Sequence, residues 1–315
     1  MPELDLSTSP SGGIGPVPHP DLAGLRLKTA SDPAIYLVDS EGLLRHIPSP
    51  ATMQSLFLRS DGITIVSDLS STQRGAPLSE GAFILMNEHQ GFFLVSNGCK
   101  RHITAEAMVK YGFRFPFFST MRGEIFVSMR EGPDWDHPSS TEDSLQSNPV
   151  PTSEEATMLA QSIEGAAALH SPQSLSGEKE YPTHEDLPFP DAMPRPDLAG
   201  QRLKHPIHPW VYLVSDAGLL LFVFKHYYRL FDGNSGISLS TDLRHIQWKM
   251  DNPRFFDIAC LVQGQQERKV YLLLNTYKHS ILSPEIMNKY HFNWSAIDTV
   301  SDIILDCIEE GPNWT

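Results

Sequence analysis

The chain has little positive charge, little cysteine and no long apolar run. Its 24 lysines and arginines face 38 aspartates and glutamates among 315 residues, giving a formal net charge of -14 and a pI near 5.3. Nucleic-acid binding draws on clustered Lys and Arg that neutralise phosphates, so this balance argues against that class of partner. Three cysteines, Cys99, Cys260 and Cys307, form an odd set without paired spacing. They argue against a disulfide scaffold and fit a reducing, cytoplasmic compartment. No stretch approaches the ~18 consecutive apolar residues of a membrane helix. The Ser-, Pro- and Gly-rich start has neither the charged head nor the apolar centre of a signal peptide. Without an export signal, the glycosylation triplets Asn293-Trp294-Ser295 and Asn313-Trp314-Thr315 read as coincidence.

Catalytic signatures are missing as well. There is no Walker loop, dinucleotide fingerprint or Gly-x-Ser-x-Gly elbow, and Gly233-Asn234-Ser235-Gly236 has the wrong spacing for one. The 13 histidines include His46 and His102 at equivalent repeat positions and His205 with His208 three apart. They do not assemble the three or four ligands a zinc site wants, so no metal or cofactor is expected. Cys99 lies beside Lys100, Arg101 and His102, which could activate a thiol, yet its repeat counterpart is Leu43, ordinary strand material. Asp68, Asp302, Glu131 and Glu310 recur with the repeat and read as fold-makers, with Trp135 and Trp314 covering the end of each core. The expectation is a protein without catalytic residues, not an enzyme.

What is present is a duplication. Pro20-Asp21-Leu22-Ala23-Gly24 opens one copy and Pro196-Asp197-Leu198-Ala199-Gly200 the other; Glu131-Gly132-Pro133-Asp134-Trp135 and Glu310-Gly311-Pro312-Asn313-Trp314 close them. Each copy divides again. Tyr36-Leu37-Val38, a Gly turn and Leu44-Arg45-His46-Ile47 resemble Phe93-Leu94-Val95, Asn97-Gly98 and Lys100-Arg101-His102-Ile103. Such a run predicts strand, tight turn, strand, because Asn-Gly supplies the positive dihedrals of a hairpin. A short helix should follow: Ser49 as cap, Pro50 in the first turn, and Met53, Leu56 and Phe57 on one face. Ser283, Pro284 and Glu285, then Ile286, Met287 and Tyr290, repeat the device. A further strand ends at Val66-Ser67-Asp68 and Val300-Ser301-Asp302.

The fold class expected is α+β: two pseudo-symmetric strand-rich domains, 19–137 and 195–315, each built from two strand-turn-strand-helix repeats curled into a small barrel-like sheet. Residues 1–18 read as disordered. Residues 138–194 read as an acidic Ser/Pro-rich linker, with a helix over 153–169 suggested by Ser153-Glu154-Glu155 and Met158, Leu159 and Ile163.

The third quarter breaks the pattern. It replaces the proline-punctuated helix start with Leu220-Leu221-Phe222-Val223-Phe224-Lys225-His226-Tyr227-Tyr228-Arg229-Leu230-Phe231. Phe224, Tyr227, Tyr228, Arg229 and Phe231 are types enriched in interface hot spots, so they are candidate ligand-binding residues; the competing reading puts the same rings in the core. A similar surplus, Phe113, Phe115, Phe117 and Phe118 interrupted by Pro116, ends the first copy.

The Tyr-Leu-Val, Gly-turn, Arg-His-Ile and capped-helix pattern resembles a short repeat of bacterial surface and otherwise uncharacterised proteins, where it stands as a non-catalytic module. The paired arrangement is also similar to peptide-binding accessory proteins of ribosomal peptide natural-product biosynthesis (RiPP pathways), which present a precursor peptide to modifying enzymes. The function this implies is binding of a protein or peptide, by strand addition or by apolar anchors. The alternative is carbohydrate or cell-wall binding, for which Trp210, Trp248 and Trp294 would be platforms, although they lack aligned partners in the first copy. The sequence leaves the oligomeric state open.

Overall fold

A computed structural model describes residues 15–57, 62–87, 90–115, 121–136, 191–206, 210–223, 225–233, 236–248 and 259–315. The helix expected over 153–169 and most of the linker lie outside the described residues. So do residues 1–14. Val17, placed by the sequence in an unstructured start, instead pairs in parallel with Thr72, as Met193 does with Ile246 in the second copy.

The first quarter runs β1 (Arg26–Thr29), β2 (Ile35–Val38), β3 (Leu44–Ile47), α1 (Pro50–Leu56) and β4 (Ile63–Val66). Its sheet has the order β3-β2-β1-β4, with β4 parallel to β1. The second holds β5 (Phe83–Asn87), β6 (Gly91–Ser96), β7 (Cys99–Ile103), α2 (Ala105–Lys110) and α3 (Gly123–Ser128). The third repeats the first quarter's topology with β8 (Arg202–Lys204), β9 (Val211–Val214), β10 (Leu220–Val223) and β11 (Ile237–Leu239), ordered β10-β9-β8-β11. The fourth runs β12 (Ala259–Gly264), β13 (Val270–Leu274), β14 (Tyr277–Ile281), α4 (Pro284–Lys289), β15 (Ile297–Val300), α5 (Asp302–Asp306) and β16 (Glu309–Glu310), ordered β15-β12-β13-β14-β16. Each quarter therefore opens with a strand that the sequence reading missed, because runs such as Arg26-Leu27-Lys28-Thr29 are too short to show a period. The described sheets are open, and none closes into the small barrel expected.

Local chemistry explains the elements. Ser49 Oγ accepts from Thr52 N at 3.2 Å and Thr104 Oγ1 from Ala107 N at 3.2 Å, satisfying free amides at the starts of α1 and α2. Asn97 and Gly98 turn β6 into β7 at φ 55° and 69°. The fourth quarter makes the same turn with Asn275 and Thr276 at φ 51° and 73°, a left-handed geometry that costs a β-branched residue.

A column of rings runs through each copy. Arg26 sits over Phe57 at 4.6 Å, Phe57 stacks on Phe113 and Phe113 on Tyr111, with Trp135 edge-on to Tyr111. The second copy repeats it with Arg202 over Phe231 at 4.4 Å, then Phe292, Tyr290 and Trp314. Arg202, among the largest fully buried side chains, donates to Gly233 O at 3.1 Å, so its charge is partnered where desolvation costs most.

The copies do not stand apart. Leu85, Phe93, Val95, Ile125, Phe126 and Met129 share one core with Cys260, Val262, Tyr271, Leu273, Ile304, Leu305 and Ile308. The backbone crosses too, with Met129 bridging Ile308 and Arg130 N donating to Cys307 O at 2.7 Å. Arg122 pairs with Asp298 at the same junction. Both copies lie in one compact unit.

Candidate functional site

The residues singled out by the third quarter separate in space. Tyr227 and Phe231 are in the core, 3% and 1% exposed, among Leu230, Phe292 and Met287. They serve packing and cannot touch a docked partner. Phe231 is the counterpart of Phe57 in the ring column, so the apparent aromatic surplus is partly a misaligned repeat. Ile47 and Phe57 are ten positions apart, Val223 and Phe231 only eight. The shortened connection winds as a 3-10 span, Lys225–Leu230, whose greater rise per residue covers the gap. Tyr228 is half-buried against the same core, and burial raises its phenol pKa. Arg229, 42% exposed, bonds to Glu124 of the first copy at 2.7 Å and so ties the copies together. Phe224 lies outside the described residues.

The other candidates resolve into structure. Lys100, buried on β7, donates to Phe126 O at 3.3 Å and Met129 O at 3.1 Å at the end of α3 and pairs with Glu131 at 3.1 Å. Lys278 does the same for α5 through Leu305 O at 2.7 Å, with Glu310 at 3.8 Å. Asp302 accepts from Gln266 N at 3.1 Å, and Asp68 accepts from the Ser70 hydroxyl and from Ser70 N at 3.0 Å, bonds that hold its carboxyl below the usual range. Cys260 and Cys307 are buried thiols pushed up to about 12 by desolvation, the opposite of nucleophile activation. Among the described residues no group of three or more His, Cys, Asp or Glu converges on a metal position. Trp210 and Trp248 pack partly buried against the second-copy core, which leaves Trp294 exposed by itself.

Two features remain unabsorbed by packing. The first is a pair of sheet edges. On the far side of each outer sheet, β3 and β10 are covered: Leu44 N donates to Gln73 O at 2.9 Å and Leu220 N to Gln247 O at 2.9 Å. On the near side, β4 and β11 are last in order, and among the described residues nothing pairs with their outer edges. Ile65 and Leu239 stand at the same register of these strands, 47% and 69% exposed, each beside a lysine: Ile65 opposite Lys28, Leu239 opposite Lys204. An exposed aliphatic on an open edge is a liability that natural sheets usually suppress. It occurs here twice.

The second is a hollow of about 290 Å³ lined by Tyr36, Leu44, His46, Arg74, Gly75 and Pro77. The Arg74 guanidinium lies over the Tyr36 ring at 4.6 Å and donates to its hydroxyl. The His46 ring stands 5.4 Å from Tyr36, tilted by 51°. Arg45 is held by Asp39 at 2.6 Å and reaches Ala76 O at 3.3 Å, passing where a side chain on Gly75 would collide with it.

No family model matches this chain, and no curated protein matches it. Sequence reasoning singled out His46 as a repeated residue but missed Arg74, Ile65 and Leu239. Neither Ile65 nor Leu239 carries a signal until the strand order places it at an edge.

Among the described residues no helix is long and apolar enough to cross a membrane.

Proposed function

We propose that this is a non-enzymatic protein that binds an extended peptide or protein segment by strand addition at β4 and β11. The observation that carries this reading is the recurrence, in both copies, of an open edge with an exposed aliphatic and a neighbouring lysine. Strand addition supplies affinity through main-chain hydrogen bonds and specificity through alternate side chains. Here the side-chain chemistry favours a segment with an apolar residue to meet Ile65 or Leu239 and an acidic residue to meet Lys28 or Lys204. Two such edges on one chain give avidity to a partner carrying two segments. The finer reading follows the resemblance to RiPP accessory proteins: the segment is a precursor peptide presented to modifying enzymes in a reducing, cytoplasmic setting.

The test is hydrogen exchange on the full chain with and without peptides selected from a displayed library of apolar-acidic octamers. Binding should slow exchange in 63–66 and 237–239, and Ile65→Lys with Leu239→Lys should weaken it by about tenfold or more, since a charge on an edge opposes pairing. Peptides that bind while both strands exchange unchanged would overturn the reading.

A further inference from the structure

We propose that the hollow in the first copy is a binding site for an aryl carboxylate, a flat ring carrying an acid group. This goes beyond strand addition and does not depend on it.

The second copy shows the same framework closed. Tyr36 pairs across its hairpin with His46, and Tyr212 pairs with Phe222. Leu44 bridges Arg74 in parallel, and Leu220 bridges Trp248 in parallel. Four positions thus correspond: Tyr36 with Tyr212, Leu44 with Leu220, His46 with Phe222, Arg74 with Trp248. In the second copy Trp248 lies 5.3 Å and Phe222 5.8 Å from Tyr212, with Trp210 edge-on to Phe222 at 5.6 Å. The chain's own rings occupy the space. In the first copy those rings are exchanged for an imidazole and a guanidinium, and the hollow opens. Arg74 and His46 take the places of Trp248 and Phe222, and beside them the hollow keeps apolar surface from Leu44 and Pro77 together with the side-chain-free Gly75, a surface suited to a flat ring.

The polar groups select its charge. Arg74 is fixed over the Tyr36 face by one nitrogen bonded to the phenol oxygen. A guanidinium held this way retains donors in a planar fork matched to a carboxylate, and little freedom is lost when it binds. Asp39, which holds the neighbouring Arg45, is taken by Arg45 Nε and by the amides of Glu41 and Leu43. It does not compete for Arg74. A volume of about 290 Å³ sits at the lower end of small-ligand sites, enough for one substituted ring.

The same chemistry can come from a free aromatic acid or from the C-terminus of a peptide ending in an aromatic residue. Phenylacetate, its neutral isostere benzyl alcohol, and a tripeptide ending in Phe as free acid or as carboxamide separate these sources. Binding is read by NMR at the Tyr36 and His46 rings of the full chain, signals separate from the β4 and β11 amides, so failure here and failure of strand addition are distinguishable. Phenylacetate should saturate these shifts and benzyl alcohol should bind at least about tenfold more weakly. Arg74→Gln, a substitution of an exposed residue, should cost phenylacetate at least about tenfold. The double variant H46F/R74W should fill the hollow as the second copy does and abolish binding while the melting temperature holds or rises. Tighter binding of the free-acid tripeptide than of phenylacetate, lost on amidation, assigns the site to a peptide terminus; the reverse order assigns it to a free acid. Wild-type shifts that do not saturate, equal affinity in Arg74→Gln, or binding retained by a folded H46F/R74W would each overturn the proposal.

Discussion

Replacing Lys100 by methionine tests whether the buried lysines hold the ends of the short helices. Methionine keeps most of the stem but gives up the ammonium 4.5 Å over the Phe126 ring, so the change isolates the charged group. Phe126 O also accepts from Met129 N at 3.2 Å and keeps a partner, whereas Met129 O loses the donor at 3.1 Å that satisfies it. Glu131 is 75% exposed and returns to water at little cost. The loss therefore comprises two charge-assisted bonds, one of them leaving a carbonyl unpartnered, set against the desolvation of the ammonium that methionine avoids. That balance gives a destabilisation of ~2–3 kcal/mol. Lys278→Met should cost less, ~1–2 kcal/mol, because Leu305 O still accepts from Ile308 N at 3.1 Å and Glu310 is already distant. Glu131→Gln should stay within ~0.5 kcal/mol of wild type. Urea unfolding of the full chain, followed by tryptophan fluorescence and circular dichroism, measures all three. A Lys100→Met protein as stable as wild type, or an order reversed between Lys100 and Lys278, would refute the reasoning and cast these lysines as replaceable filler.

Thr276→Gly should stabilise the chain by ~0.5–1 kcal/mol, since relief of the left-handed strain outweighs the entropy glycine adds to the unfolded state; a lower urea midpoint contradicts this. The thiols give a pH dependence of defined sign. Cys260 and Cys307 are pushed from 9.0 up to about 12 when folded, so their burial favours the folded state below pH 9 and that contribution is lost as pH rises towards about 12. The stability gap between wild type and Cys307→Ala should narrow between about pH 8.5 and about pH 11, and a gap that widens refutes the assignment. At about pH 8 a thiol reagent should modify Cys99 in the native protein and reach Cys260 and Cys307 only after unfolding, which counting labelled peptides by mass spectrometry checks.

The strand-turn-strand-helix order was legible because its signals are local. Ser49 and Pro50 announce a helix start, and Asn97-Gly98 announces a turn, whatever surrounds them. The opening strands were not, since four residues such as Arg26–Thr29 gain their conformation from pairing on both sides, with Leu27 opposite Tyr36 and Thr64. The aromatic run of the third quarter misled for a related reason. Its residue types suit a surface hot spot and a core equally, and only the two-residue deletion, which brings Phe231 into the place of Phe57, decides between them. Arg74 was invisible because its role depends on a parallel bridge to Leu44, thirty positions earlier in sequence.

The hairpin motif occurs four times, and its ring face is covered differently from quarter to quarter. Tyr36, Phe93, Tyr212 and Tyr271 hold the same strand position, paired in turn with His46, His102, Phe222 and Ser280. In the two inner quarters the faces carrying Phe93 and Tyr271 are consumed by the core that joins the copies. In the third quarter the face is sealed by Phe222 and Trp248, drawn from its own chain. In the first quarter Arg74 and His46 cover Tyr36, and the hollow lies beside these polar groups. The proposed ligand site thus lies in the one quarter whose covering groups are an imidazole and a guanidinium, and these are the residues exchanged for aromatic rings in its twin.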